Sequence, residues 1–208
     1  GHENDPARRV VVTGIGCVSP LGIGREATWE AAVAGRSGCG PITLFDADGF
    51  ASRVAAEVKG DVDLGDIPVK EVRRMARVVR FALAAAREAI AASGLLAGGG
   101  DLDRVGGAVG SGIGGLATII ENQITLMEQG PRRVSPFTIP MGIANMPSGL
   151  ISLYHGLRGP NLCHVSACAS GAHSIGEGAE LIRRGQADAM LVGGAEAPIL
   201  GITVAGFA

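Results

Sequence analysis

Apolar and polar positions divide this chain into stretches of two kinds. Short β-branched runs closed by glycine or alanine recur at Arg9–Ile15 (RVVVTGI), Val105–Gly110, Leu162–Ala167 and Ala187–Gly193, the pattern of buried strands. Val72, Met75, Val79, Leu83, Ala86 and Ile90 recur instead at three- and four-residue steps. They predict one long amphipathic helix from about Lys70 to Ser93, closed by Gly94. Other helices are predicted from about Glu26 to Ala34, ended by Gly35, and from the glycine loop at 110–115 to about Gln129. A further helix follows Cys168, with Ala172, Ile175, Ala179 and Ile182 on its buried face before Gly185. Pro41 to Gly65 reads as a surface excursion, and the prolines within Ser135 to Pro147 predict a rigid irregular loop. Strands alternating with helices place the chain in the α/β class, with right-handed crossovers around a mostly parallel central sheet covered by helices on both faces. No internal repeat or linker interrupts the pattern, so 1–208 is read as one unit.

Composition narrows the picture. Aromatic residues are 3% of a chain that is 47% hydrophobic, so the core must be aliphatic and rich in alanine. A net charge of -2 argues against a nucleic-acid binder, which carries a basic face. No apolar run approaches the roughly 18 residues of a membrane span, and no signal peptide is recognisable; a soluble, cytoplasmic protein with no membrane partner is expected. Gly1-His2 reads as a scar from tag removal and 1–8 as a flexible terminus. The cysteines Cys17, Cys39, Cys163 and Cys168 show no CxxC spacing and read as free thiols.

Three constellations carry candidate chemistry. Gly110-x-Gly112-x-x-Gly115 follows a strand and opens a helix, as a dinucleotide-binding fingerprint does. That pattern also wants an acidic residue at a strand end about 20 positions on, and Glu128 falls at the end of a predicted helix. Cys163, His164, Cys168 and His173 match no common zinc spacing, and along a strand Cys163 and His164 point to opposite faces. Neither a cofactor nor a metal is called for. The third constellation is Cys168 itself, at the junction of a strand-like and a helix-like run. Helix-start N–H groups lack intrahelical partners, and the aligned peptide dipoles favour a thiolate there. The same groups can hold an oxyanion, and Ala167, Ala169, Ser170 and Gly171 leave room for a substrate. Many buried cysteines are only small hydrophobes; this position makes Cys168 the candidate nucleophile.

These residues also form a family pattern. Arg9-Val10-Val11-Val12-Thr13-Gly14-Ile15-Gly16, Gly110-Ser111-Gly112-Ile113-Gly114-Gly115, Gly159-Pro160, Ser166-Ala167-Cys168-Ala169-Ser170-Gly171 and Gly193-Gly194-Ala195-Glu196 resemble, in order and spacing, the β-ketoacyl-acyl-carrier-protein synthases. The likeness is greatest to the elongating type II enzymes of bacterial fatty acid synthesis. It implies a thiolase-like layered fold, two similar α-β-α halves and a homodimer. It also implies acyl transfer from acyl carrier protein to Cys168, followed by decarboxylative Claisen condensation with a malonyl group on the carrier. The Cys168 N–H would form one half of the oxyanion hole. Ile113 matches the residue that gates the acyl pocket, and Phe137, Thr138 and Ile139 match a loop lining the partner subunit's acyl tunnel. Lys70, Arg73, Arg74, Arg132 and Arg133 match the patch that docks the acidic carrier.

The family's chain is about twice as long, and its catalytic histidines, supporting lysine and second oxyanion donor lie in the second half. His155, His164 and His173 do not match those histidines. The chain is therefore expected to be the N-terminal half of a longer synthase. Two other readings remain open: a non-catalytic, chain-length-setting or scaffold partner of a ketosynthase, and a polyketide-pathway ketosynthase.

Overall fold

The computed structural model describes residues 9–208; the segment 1–8, read above as a tag scar and flexible terminus, lies outside the described residues. Two small antiparallel hairpins come first. One pairs β1 (Val18–Ser19) with β2 (Gly22–Ile23) and leads into α1 (Arg25–Val33), after which Gly35 adopts φ 67°. The other pairs β3 (Cys39–Pro41) with β4 (Val54–Ala56), so the stretch 41–65 carries local sheet structure of its own. Next come α2 (Val69–Val72) and α3 (Arg77–Ser93), then β5 (Val105–Gly110) and α4 (Leu116–Gln129). The short α5 (Thr138–Gly142) and α6 (Met146–His155) precede β6 (Asn161–Leu162), α7 (Ser170–Arg183), β7 (Ala189–Gly194) and α8 (Gly201–Phe207).

The central sheet is parallel, in the order β6-β5-β7, with Gly107 opposite Asn161 and Val105 to Gly110 running beside Ala189 to Gly194. Every residue of β5 is buried, as expected of a parallel strand covered on both faces. Val105 and Val109 join the core formed with Val79 and Leu83 of α3 and Leu150 and Ile151 of α6. Side chains alternate along a strand, so Gly110 faces the other way, toward Ser170 of α7. Helices thus cover both faces, the α/β layering that the sequence pattern predicts.

Several elements depart from the sequence reading for identifiable reasons. The run Arg9–Ile15 joins no strand among the described residues, and Val11 and Val12 are exposed. Its β-branched residues favour extended backbone, but a strand also needs a ladder partner. The predicted helix 70–93 is two helices. Ala76 adopts ψ 148°, which breaks the helix where Met75 and Ala76 are buried in the core. Gly94 closes α3 at φ 66° as expected. The stretch 135–147 is not irregular: Pro140 lies within the first turn of α5 and Pro147 within that of α6, where a missing N–H costs nothing. Of the strand predicted at 162–167, only Leu162 pairs, together with Asn161. The helix α7 buries Ser170, Ser174, Gly178 and Leu181, whereas Ala172 and Ile175 are exposed. Its sheet-facing side holds small residues because the packing is close: a Cβ on Gly178 would lie 2.3 Å from Val192 Cγ1. The final residues form the helix α8, so the chain does not end directly after a strand. None of the helices among the described residues is long and apolar enough to cross a membrane.

One buried charge organises the second hairpin. Glu57 is 2% exposed, and its carboxylate accepts from Thr43 N–H (2.8 Å), Thr43 Oγ1 (2.7 Å), Leu44 N–H (3.1 Å) and the Lys59 ammonium. The hydrogen bond from Lys59, then those from Thr43, hold its pKa down from 4.5 to about 2 against the opposing effect of burial. A carboxyl with a lowered folded-state pKa contributes stability that is full above its unfolded value and is lost as pH falls through the folded one. Amide exchange at Thr43 and Leu44, corrected for intrinsic rates, is therefore expected to rise as pH drops from about 4.5 toward 2. Glu57→Gln should flatten that pH dependence, and an unchanged profile in the variant would exclude the carboxyl as its cause.

Candidate active site

Beyond Leu162 the chain leaves the sheet and reverses sharply before α7. Ala167 adopts φ 51°, and no other non-glycine residue among those described has positive φ. Left-handed backbone costs an alanine on the order of 1 kcal/mol, so neighbouring bonds must impose it. Ser170, 3% exposed, does this with one hydroxyl: Oγ donates to Ala167 O (2.6 Å) and accepts from Ser166 N–H (2.9 Å). The backbone adds Ala169 N–H to Ser166 O and Ser170 N–H to Ala167 O, both 3.1 Å. Cys168 sits exposed at the apex of this turn, two residues before α7 begins. Its own N–H carries no hydrogen bond among the described residues.

The other glycine-bearing motifs of the sequence converge on this turn through backbone contact. A Cβ on Gly110 would fall 2.6 Å from Ser170 O and 2.8 Å from His164 O, and one on Gly194 would fall 2.8 Å from Gly171 Cα. A Cβ on Gly112 would lie 3.4 Å from Ala167 Cα. Glu196, just past β7, secures the glycine loop: Ser111 Oγ donates to its Oε1 at 2.5 Å, and Gly114 N–H donates to Ser111 Oγ at 3.0 Å. The end of β5, the Cys168 turn and the end of β7 therefore form one assembly. Ile113 lies on the glycine loop of that assembly and is exposed.

The remaining predicted residues lie further out. Phe137 caps the start of α5, Thr138 Oγ1 donates to Ser135 O at 2.7 Å, and Ile139 is 63% exposed. This segment reaches the glycine loop through Gly115 N–H, which donates to Gly142 O at 3.1 Å. Lys70 lies on α2, and Arg73 and Arg74 lie in the turn that follows rather than on a single long helix. Arg132 and Arg133 lie in a 3-10 turn after α4. All five cations are exposed, and Arg74 places its guanidinium 4.8 Å from the centre of the Phe137 ring.

The site thiols differ in environment. Cys163 is half-buried, its Sγ 3.3 Å from Ala144 O, and burial pushes its pKa up; Cys168 is exposed. His164 pairs with Ser174 (3.1 Å) and His173 with Ser166 (2.6 Å), so these side chains point into hydrogen bonds of the fold rather than toward one another. The sequence pattern assigns no role to Ser111, Ser166 or Glu196, and it reads Ser170 as leaving room for a substrate, whereas the buried Ser170 hydroxyl holds the turn instead. Their signal was present in the motifs, but as small polar residues they give no periodicity to read.

The profile of the family described as "Beta-ketoacyl synthase, N-terminal domain" matches residues 7–208. This chain belongs to that family. It is 45% identical over 201 residues to 3-oxoacyl-[acyl-carrier-protein] synthase 2 of Coxiella burnetii, covering 97% of this chain and 49% of the relative. It is 44% identical over 200 residues to the protein of the same name from Staphylococcus aureus strain N315, covering 96% and 48%. Among solved structures, a β-ketoacyl synthase from Burkholderia phymatum superposes with TM-score 0.81 at 32% identity, over 95% of this chain and 48% of that one. The ishigamide ketosynthase/chain length factor gives TM-score 0.80 at 34% identity, over 96% and 50%. The chain thus spans about half the length of the relatives it matches.

The contacts among glycines make a direct test possible. Gly110→Ala places its Cβ against the carbonyl groups of Ser170 and His164, which are backbone and cannot swing aside. Overpacking of this kind costs roughly 1–3 kcal/mol and must displace the start of α7. In the full-length protein, Gly110→Ala is expected to lower the denaturation midpoint and to alter the alkylation rate at Cys168. Retention of both at the wild-type value would show that the two elements are not in backbone contact.

Proposed function

We propose that this chain supplies the acyl-accepting half of a 3-oxoacyl-carrier-protein synthase of fatty acid elongation. In the first step the Cys168 thiolate attacks the carbonyl carbon of an acyl thioester. The bond from that carbon to the carrier's sulfur breaks, and the carrier leaves as a thiol after taking up a proton. The observation that carries this reading is the Cys168 turn itself: an exposed sulfur beside an unpartnered N–H, immediately before the positive end of α7. That N–H is suited to hold the oxyanion of the tetrahedral intermediate. The names of the relatives support the substrate class. Decarboxylation of the malonyl unit and the condensation itself are assigned, on the family resemblance, to histidines outside this chain.

Ile113, on the loop packed against the turn, is positioned to shape the acyl pocket. Phe137, Thr138 and the exposed Ile139 suit a loop that a second copy would cover in a cytoplasmic homodimer. The two exposed cation clusters suit an acidic carrier. Beside Lys70 on α2, Glu71 accepts from Tyr154 Oη at 2.5 Å, which engages the one carboxylate of α2; burial and that carboxylate push the Tyr154 pKa up to about 12. Charges of this kind act mainly on association.

The alternative, a non-catalytic partner like a chain length factor, is raised by the structural likeness to a ketosynthase/chain length factor, and the presence of Cys168 in its motif favours the enzyme. Trapping with a thiol-reactive acyl analogue, followed by peptide mapping, separates the two. Label on Cys168 is expected; label confined to Cys17, Cys39 or Cys163 would refute the assignment. Arg132→Glu combined with Arg133→Glu is expected to raise the apparent KM for carrier-bound acyl groups on the order of tenfold while sparing acylation by a small thioester. Equal loss with both substrates would sink the docking surface.

A further inference from the structure

Two histidine–serine pairs cross the junction between the Cys168 turn and α7, and the proposed chemistry uses neither. In one, His164 from the incoming segment meets Ser174 of α7; in the other, Ser166 from that segment meets His173 of α7, at 2.6 Å. The first pair is internal, since Ser174 is 0% exposed, and fixes where the chain enters the turn. The second acts on the turn itself. Ser166 directly precedes Ala167, the residue held at φ 51°. It is held at three points: its N–H by Ser170 Oγ, its carbonyl by Ala169 N–H and its hydroxyl by His173 Nδ1. The first reaches only the opening residue of α7 and the second lies within the turn. The bond to His173 ties the turn to the body of α7. His173 is exposed, so this hydrogen bond rather than apolar packing defines its contact with Ser166.

We propose that His173 is a positioning residue for Cys168. Its imidazole clasps Ser166 against α7, and the clasp keeps the left-handed turn, and with it the sulfur, in the orientation from which the thiolate reacts. His173 neither takes nor gives a proton in the reaction; Ser166 is its link to the nucleophile. The inference rests on the assignment of Cys168 as nucleophile, and the test separates the two.

The measurement is the second-order rate of iodoacetamide alkylation, mapped by peptide, in the full-length protein, together with the thermal midpoint of each variant. Failure of the wild-type protein to alkylate preferentially at Cys168 would remove the nucleophile assignment. Given that preference, His173→Leu is expected to slow Cys168 by about tenfold, the kinetic equivalent of one lost hydrogen bond, with little change in thermal midpoint. His173→Asn, whose amide can reach Ser166 as the ring nitrogen does, is expected to restore the rate to within about threefold of wild type. Ser166→Ala should match His173→Leu, and the double variant should be no slower than either single one, as expected for two residues acting through one contact. An unchanged rate in His173→Leu, an Asn variant as slow as the Leu variant, or losses that multiply in the double variant would each overturn the clasp. Should His173→Leu fail to fold, His173→Asn and Ser166→Ala still decide the question, because the clasp requires the first to be fast and the second slow.

Discussion

Backbone-to-backbone contact among β5, α7 and β7 is the constraint on which the rest of this structure depends. Gly110 lies against the carbonyl groups of Ser170 and His164, and Gly171 lies against Gly194. Because no side chain stands between these elements at those two points, their spacing there is set by main-chain atoms, which cannot adjust by changing rotamer. The Cys168 turn inherits that rigidity. It is fixed relative to the ends of two strands before any side chain around the sulfur is considered. Glu196 extends the same frame by fixing the glycine loop through Ser111.

This close approach also explains what the sequence revealed and what it concealed. The α3 core face was legible in the spacing of Val79, Leu83, Ala86 and Ile90, because that helix buries large apolar residues against α6. The β5 strand was legible for a related reason, with valines at both ends of a fully buried run. The face of α7 was not legible, since Ser170, Ser174 and Gly178 point inward while Ile175 points outward. Hydrophobic periodicity assumes that what is buried is large and apolar. Where a helix approaches a sheet at backbone distance, small size decides instead, and the periodicity reports the wrong face.

The candidate site followed the same division. Cys168 could be located from its motif, as could the elements on either side of it. The means of holding it could not, because they depend on a left-handed alanine and on hydroxyls that bond over short sequence separations. The break in the helix predicted at 70–93 is a tertiary effect of the same kind. Met75 and Ala76 are drawn into the core, which takes Arg73 and Arg74 off the helix α3 and lets Arg74 stand over Phe137. A helix-wheel reading places these cations on one continuous face, whereas the folded chain breaks that face and sets Arg74 against an aromatic ring.

Electrostatics separates the structural charge of this chain from its candidate functional ones. Glu57 is a buried carboxylate whose partners all come from its own hairpin, and it acts as a local staple. The cations near Phe137 are exposed, form no ion pair among the described residues, and leave their charge available at the surface. The thiols divide in the same way. Burial disfavours the thiolate of Cys163, which makes that residue a packing element, whereas Cys168 stands in the open at the positive end of a helix. A reactive group must be exposed enough to meet its substrate and still fixed enough to meet it in one orientation. Packing could supply the second condition only by giving up the first. The hydrogen bonds of the Ser166 and Ser170 hydroxyls hold the turn while the sulfur stays exposed.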